Sequence, residues 1–214
     1  HSLQFSNGRD GVWDYNAWTG SANPYSNIMK KTLGKDSYPV LNKGNEESSS
    51  YLFSTDSGTG KTVYPDANYL FKKDADGYYE YDSATNFAQF DKNTKEFTVY
   101  KVPGSSKDPI DLQQGSKHGS FFPFNTLGDH KYWGIPQISE KSPDFHFGMT
   151  MSAKFIQPKD GKINGNNMVF EFSGDDDVWV YIDGVLVLDI GGIHNSVSGS
   201  IDFAEGTVKV GSNN

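Results

Sequence analysis

The stretch Met168-Val169-Phe170-Glu171-Phe172-Ser173-Gly174-Asp175-Asp176-Asp177-Val178-Trp179-Val180-Tyr181-Ile182-Asp183-Gly184-Val185-Leu186-Val187-Leu188 sets the fold class. Its apolar runs are four to six residues long and rich in Val, Ile, Phe, Tyr and Trp, which suit a pleated surface. Asp183-Gly184 between two such runs is a two-residue hairpin turn, because Asp and Gly tolerate the positive φ that this turn demands. Ser200 to Phe203 and Gly206-Thr207-Val208-Lys209-Val210 continue the pattern downstream.

Upstream, Tyr78-Tyr79-Glu80-Tyr81, Phe87-Ala88-Gln89-Phe90 and Phe97-Thr98-Val99-Tyr100 read as a three-stranded meander. Asp82-Ser83-Ala84-Thr85 and Asp91-Lys92-Asn93-Thr94-Lys95 supply turn chemistry between them. Phe145 to Phe155 alternates apolar and polar positions and predicts a further strand. One helix is expected over Asn23 to Gly34. Asn23 suits the N-cap, Pro24 the first turn and Gly34 the exit, while Tyr25, Ile28, Met29 and Leu33 share a face. Many short strands with turns every 8–12 residues indicate an all-β protein, an antiparallel two-sheet β-sandwich with one or two short helices. The 214 residues are read as a single domain with long loop insertions near 34–70 and 103–135.

Composition narrows the function. Net charge is −8, and Arg9 is the single arginine, which argues against nucleic-acid binding. No apolar run reaches the length of a membrane span, so no membrane insertion is expected. With no cysteine, disulfides, thiolate catalysis and Cys-zinc sites are excluded. A Cys-free chain rich in Gly, Asn, Asp, Ser and Tyr suits an exported protein, extracellular and attached to a cell surface or cell wall. No Gly-x-Ser-x-Gly, phosphate-binding glycine loop or His-Glu-x-x-His motif occurs. Catalytic residues are accordingly not assigned, and a glycoside hydrolase is the weakest of the readings.

Asp175, Asp176 and Asp177 are crowded carboxylates, each pair repelling by about 1 kcal/mol at 4 Å in water and more where the dielectric is lower. A hard cation relieves that repulsion, and Ca²⁺ takes six to eight oxygens. The hairpin after Asp177 returns the chain toward Ile190-Gly191-Gly192-Ile193-His194-Asn195. Gly191 and Gly192 permit irregular backbone whose carbonyls can face an ion, and Asn195 offers a neutral oxygen. The candidate metal donors so drawn together are the run Asp175, Asp176 and Asp177 with Gly192, His194 and Asn195, although Ca²⁺ prefers oxygen and His194 also reads as a hydrogen-bonding loop residue. The expected ligand-binding residues are Asp175, Asp176, Asn195 and Trp133, the last as a stacking platform. Trp179 is expected in the core.

The run Gly174 to Gly184, then Leu186 to His194, with Val197-Ser198-Gly199-Ser200-Ile201-Asp202, resembles the fibro-slime domain family. That family lies within the anthrax-protective-antigen-like β-sandwich superfamily, which includes yeast flocculin adhesins. Gly77 to Ser83, Phe97 to Tyr100 and Phe145 to Met149 resemble versions found on Gram-positive surface proteins. The resemblance implies a protective-antigen-like lectin fold with Ca²⁺ at one end, held by two consecutive aspartates joined through a cis peptide and completed by sugar hydroxyls. It maps that pair to Asp175 and Asp176, and a second calcium loop to about Ile190–Asn195. It also implies one or two strands beyond the last residues seen here, leaving an open sheet edge. The function so implied is a calcium-dependent, carbohydrate-binding adhesin module, with a glycan or glycosylated surface and adjacent domains of the same protein as partners. The rival reading is a structural or protein-binding tip or stalk module in which calcium only rigidifies a loop.

Overall fold

In a computed structural model the described residues are 23–42, 46–56, 61–101, 121, 123, 124, 131, 132, 135, 136, 147–192 and 194–212. The elements among them are a short helix α1 (Ser50–Phe53) and strands β1 (Lys72–Lys73), β2 (Tyr79–Glu80), β3 (Asn86–Asp91), β4 (Glu96–Lys101), β5 (Lys131–Tyr132) and β6 (Ile135–Pro136). They continue as β7 (Lys162–Ile163), β8 (Asn166–Asn167), β9 (Val169–Gly174), β10 (Val178–Ile182), β11 (Val185–Ile190), β12 (Val197–Asp202) and β13 (Thr207–Ser212). The all-β class is as the sequence predicts. The chain divides into two compact units, one made of residues 1–59 and 148–214 and the other of 60–147.

The first unit holds the sandwich. β9, β12 and β13 form one antiparallel sheet in the order β13-β12-β9, and β10 pairs with β11 in another. Their inner faces share one apolar cluster. Leu188, Ile190, Val197 and Ile201 are buried there, with Phe170, Phe172, Val178, Val180 and Ile182 packed against them. Strand β12 alternates buried and half-buried positions along its whole length, the mark of a strand with one face on the core. Gly199 sits where the sheets come closest, since a Cβ there would lie 2.5 Å from Ile190 Cδ1 and 3.0 Å from Leu188 Cδ2. The β10–β11 turn is the expected one, with Asp183 at φ 49° and Gly184 at φ 79°.

The expected helix over Asn23–Gly34 is absent. That segment is extended and lies along the outer edge of β11, with bridges Tyr25 to Gly191 and Thr32 to Val185. The Leu186 N–H donates to the Lys31 carbonyl at 2.8 Å and the Leu33 N–H to the Gly184 carbonyl at 3.0 Å. An unpaired strand edge offers long-range main-chain partners that an isolated ten-residue helix does not match in water. Ile28 and Met29 are still buried, with Leu41, against Trp179 and Tyr51. Leu41 belongs to the stretch read as a loop insertion, so part of that stretch is core, and α1 also falls within it. The strand expected over Phe145–Phe155 is not formed among its described residues. Residues 147–157 have no regular structure, and Met149, Met151, Phe155 and Ile156 are exposed. Alternation alone does not make a strand where no neighbour supplies a ladder.

In the second unit β3 and β4 form the hairpin that the sequence predicts, in register from Asn86↔Lys101 to Asp91↔Glu96. β2 pairs instead with β1 (Lys72↔Glu80), so the expected meander is two separate hairpins. Ala88, Phe90, Phe97 and Leu70 form its buried cluster, with Tyr64, Tyr81, Phe121 and Phe124 against it. Phe90 packs edge-on to Phe124 with ring centroids 5.3 Å apart.

Candidate functional site

Two loops cross between the sheets at one end of the sandwich. Residues 175–177 join β9 to β10, and residues 191–196 join β11 to β12. Register places them side by side. Gly174 pairs with Val197 in one sheet, and Val178 pairs with Ile190 in the other. Both loops therefore start and finish on paired residues, which fixes their mouths together. The Asp177 carboxylate fastens them by accepting the Gly192 N–H. Gly192 takes φ 81°, a conformation that a side chain would strain.

Carboxyl groups here are held away from their ordinary state. Burial pushes Asp177 up to about 7 despite the Gly192 bond, and repulsion from Asp176 and Asp189 adds to the rise. Asp176 reaches the surface, yet the chain around it removes part of its hydration and raises its carboxyl, with Asp175 repelling it and His194 opposing the rise. Asp189 is raised by burial against two hydrogen bonds that lower it. Those bonds are the Asn27 N–H to Oδ2 at 2.7 Å and the Trp179 indole N–H to Oδ1 at 3.1 Å. Asp189 is thus a half-buried acid whose oxygens are already engaged, and it contributes field to the end loops.

The structure brings together the predicted Asp175, Asp176, Gly192, His194 and Asn195 on these two loops. Asp175, Asp176 and Asn195 are exposed, and His194 is buried at 7% exposure. The His194 Nδ1 lies 2.7 Å from the Asn195 carbonyl, so His194 is a hydrogen-bonding loop residue as one reading expected. Trp133 lies outside the described residues. Asp183 is confined to the hairpin turn. Trp179 is half-buried and serves both as packing for Ile28 and Met29 and as a donor to Asp189.

Two expectations about this loop are corrected. All described peptide bonds are trans, including the one joining Asp175 and Asp176, so the implied cis linkage is not present. Trans is favoured at a non-proline bond by about 2.5–4 kcal/mol. The Gly191 carbonyl is engaged by the chain itself, accepting the Tyr25 N–H at 2.7 Å. Gly191 is needed for close approach, since a Cβ there would lie 2.9 Å from Ile28 Cδ1 and 3.1 Å from the Tyr25 carbonyl oxygen. Sequence reasoning gave Asp177 no role apart from its neighbours in the aspartate run, and it missed Asp189. The Trp179↔Asp189 register is the signal that finds the second, because it sets a carboxylate beside an indole donor on neighbouring strands.

Among the described residues no three His, Asp or Glu side chains converge into a ready-made metal cage. The chemistry of the donors is compatible with a hard cation: two adjacent exposed carboxylates, an Asn amide oxygen and loop carbonyls all offer oxygen.

Comparison with known proteins identifies a family over more than half of the chain. The model of the PA14 domain family matches residues 91–211, which include both loops. Protein psiF of Dictyostelium discoideum is 34% identical over 193 residues, 83% of this chain and 22% of that protein. Protein psiR of the same organism is 30% identical over 185 residues, 86% of this chain and 16% of its own length. Protein psiP is 47% identical over 73 residues, 34% of this chain and 9% of its own length. The chain thus spans about a fifth or less of these curated relatives. They come from Dictyostelium discoideum, not from the Gram-positive surface proteins that the upstream motifs suggested. No solved structure matches the chain. PA14 domains are β-sandwich, often carbohydrate-binding modules of extracellular or surface proteins. With more than half its length matched by that family model and its sheets packed as a sandwich, this chain belongs to the PA14 domain family.

Proposed function

We propose that this chain is a non-enzymatic, calcium-dependent carbohydrate-binding module, displayed extracellularly or at a cell surface as one part of a longer adhesive protein. Its finer kinship would be with the fibro-slime type, through the Gly174–Asp202 run. The observation that carries the reading is the pairing of the Asp175–Asp177 loop with the Gly191–Asn195 loop, fastened by the Asp177 to Gly192 hydrogen bond. Asp175 and Asp176 would hold Ca²⁺ with the Asn195 amide and loop carbonyls. Bound Ca²⁺ would offer open coordination positions to vicinal hydroxyls of a sugar. Asp177 and Asp189 would stay behind as positioning groups that add negative field and fix the loops. Affinity for one sugar would be weak, and attachment would come from repeated display.

Isothermal titration with Ca²⁺ tests the ion. Heat from the natural chain should vanish in Asp175→Ala/Asp176→Ala, and equal heats would defeat the reading. A glycan array read with and without chelator tests the ligand. Exposure of Met149, Met151 and Ile156 favours a second reading, a structural or protein-binding module. A folded protein with no chelator-sensitive glycan would select that one.

A further inference from the structure

The β7–β8 hairpin turns on Asn164-Gly165. Asn164 takes φ 53° and Gly165 φ 85°, the left-handed pair that a two-residue turn demands. The base of this hairpin is tied down. The Met168 N–H donates to the Gly161 carbonyl at 2.8 Å, and the Asn167 side-chain amide donates to Asp202 Oδ2 at 2.9 Å. Its tip, by contrast, is open. Asn164 and Gly165 are both exposed, and a Cβ built on Gly165 would meet no atom within 4 Å. The ladder bonds belong to the Ile163↔Asn166 pair below the turn, so the Gly165 N–H stands outside the ladder. Only Lys162↔Asn167 and Ile163↔Asn166 pair the two strands, and a hairpin that short opens locally at little cost.

We infer that Asn164 is a site of self-modification, at which the chain converts its own asparagine to aspartate and isoaspartate with water as the co-reactant. When the main chain at Asn164 swings out of the turn, the Gly165 amide gives its proton to hydroxide and its nitrogen attacks Asn164 Cγ. The new N–Cγ bond closes a five-membered imide. The Cγ–Nδ2 bond breaks, and the side-chain amide leaves as ammonia after taking a proton from water. Water then opens the imide at either carbonyl. Attack at Cγ restores the ordinary peptide and leaves an aspartate. Attack at the main-chain carbonyl breaks its bond to the Gly165 nitrogen, so the chain runs through the former side chain and a free carboxylate remains. Either product adds one negative charge to a chain of net −8. Isoaspartate also adds a methylene to the main chain, which a two-residue turn does not accommodate. Asn166 and Asn167 are half-buried and are followed by Asn and Met, whose side chains crowd the attacking nitrogen. The Asn167 amide is further held by Asp202. The modified turn lies at the Asp202 end of β12, five residues or about 17 Å from the Val197 end that carries the acidic loop, so it is separate from the proposed calcium site. The second Asn-Gly pair of the sequence, Asn7-Gly8, lies outside the described residues.

The test ages the whole chain in mildly alkaline buffer at physiological temperature. Samples are read by peptide mass mapping with fragmentation that separates aspartate from isoaspartate, and by methyl transfer from an isoaspartyl methyltransferase. A synthetic peptide spanning Lys162–Asn167, aged alongside, reports the same chemistry without the fold. Asn164 should convert at least about tenfold faster than Asn166 or Asn167, a barrier gap of about 1.4 kcal/mol, with isoaspartate among the products. Asn164→Gln, whose longer side chain must close a six-membered ring, should lose the methyl acceptor at this turn. An Asn164 amide still intact in the chain after the peptide has converted would show that the fold holds the turn shut, and would overturn the inference. Equal conversion at Asn164, Asn166 and Asn167 would overturn it as well.

Discussion

Asp177 is poised between its two charge states near neutral pH, and that condition has a measurable cost. Its carboxyl titrates at about 7 in the folded chain against an ordinary 3.8. Between those values the folded state binds more protons than the unfolded one. Stability therefore falls as pH rises from about 4 to about 7, and the penalty is fully present above that window. Each unit is worth about 1.4 kcal/mol, so the upper limit is on the order of 4 kcal/mol. In chelator, thermal midpoints of the natural chain should decline more steeply over this window than those of Asp177→Asn, whose amide oxygen still accepts the Gly192 N–H. Parallel curves would show that Asp177 is not the group concerned. Trp179→Phe keeps the packing against Ile28 and Met29 but removes the donor to Asp189. Leaving that half-buried carboxylate one partner short should cost about 1–3 kcal/mol, read by denaturant unfolding.

Strands place these residues, and the closeness of the two sheets is itself a sequence-coded feature. Gly199→Ala would press a methyl into Ile190 and Leu188 in the middle of the sandwich. Overpacking of this kind costs about 1–3 kcal/mol, so a calorimetric melt should shift down by several degrees. An unchanged melt would mean that the sheets separate freely. The segment 25–33 illustrates the opposite case. Its apolar spacing fits a helix, yet the β11 edge captures it through main-chain bonds that no local pattern announces. The β9, β10 and β11 strands were legible because each carries a run of apolar β-formers bounded by turn residues, whereas only the end of β12 was, since Val197-Ser198-Gly199-Ser200 holds a single β-branched residue. Strand pairing for Tyr79–Glu80 was not, because Lys72–Lys73 is too short and polar to read as a partner.

At the scale of the whole molecule, the proposed calcium site makes a prediction about stability in a chain of net charge −8. A ligand that binds only the folded chain stabilises it by about 2.7 kcal/mol at a hundredfold excess over its dissociation constant. Saturating Ca²⁺ should thus raise the melting temperature by roughly 5–10 °C, and chelator should reverse the rise. An equal shift in the Asp175→Ala/Asp176→Ala chain would assign the effect to diffuse surface charge. The same charge, with one arginine, predicts no salt-dependent association with duplex DNA by fluorescence anisotropy.

The amino-acid sequence by itself determined the all-β class, the Asp183–Gly184 hairpin and the nearness of the aspartate run to the diglycine loop. These follow from side-chain shape, turn conformation and the geometry of two adjoining strands, all of which act over a few residues. Tertiary structure decided the rest. It alone shows that β9 pairs with β12, that the Gly191 carbonyl is taken by Tyr25, that Asp189 is clamped by Asn27 and Trp179, and that the His194 Nε2 is sealed without a partner. Each of those facts depends on groups far apart in the chain, and on a burial that no residue possesses until its distant neighbours have closed around it.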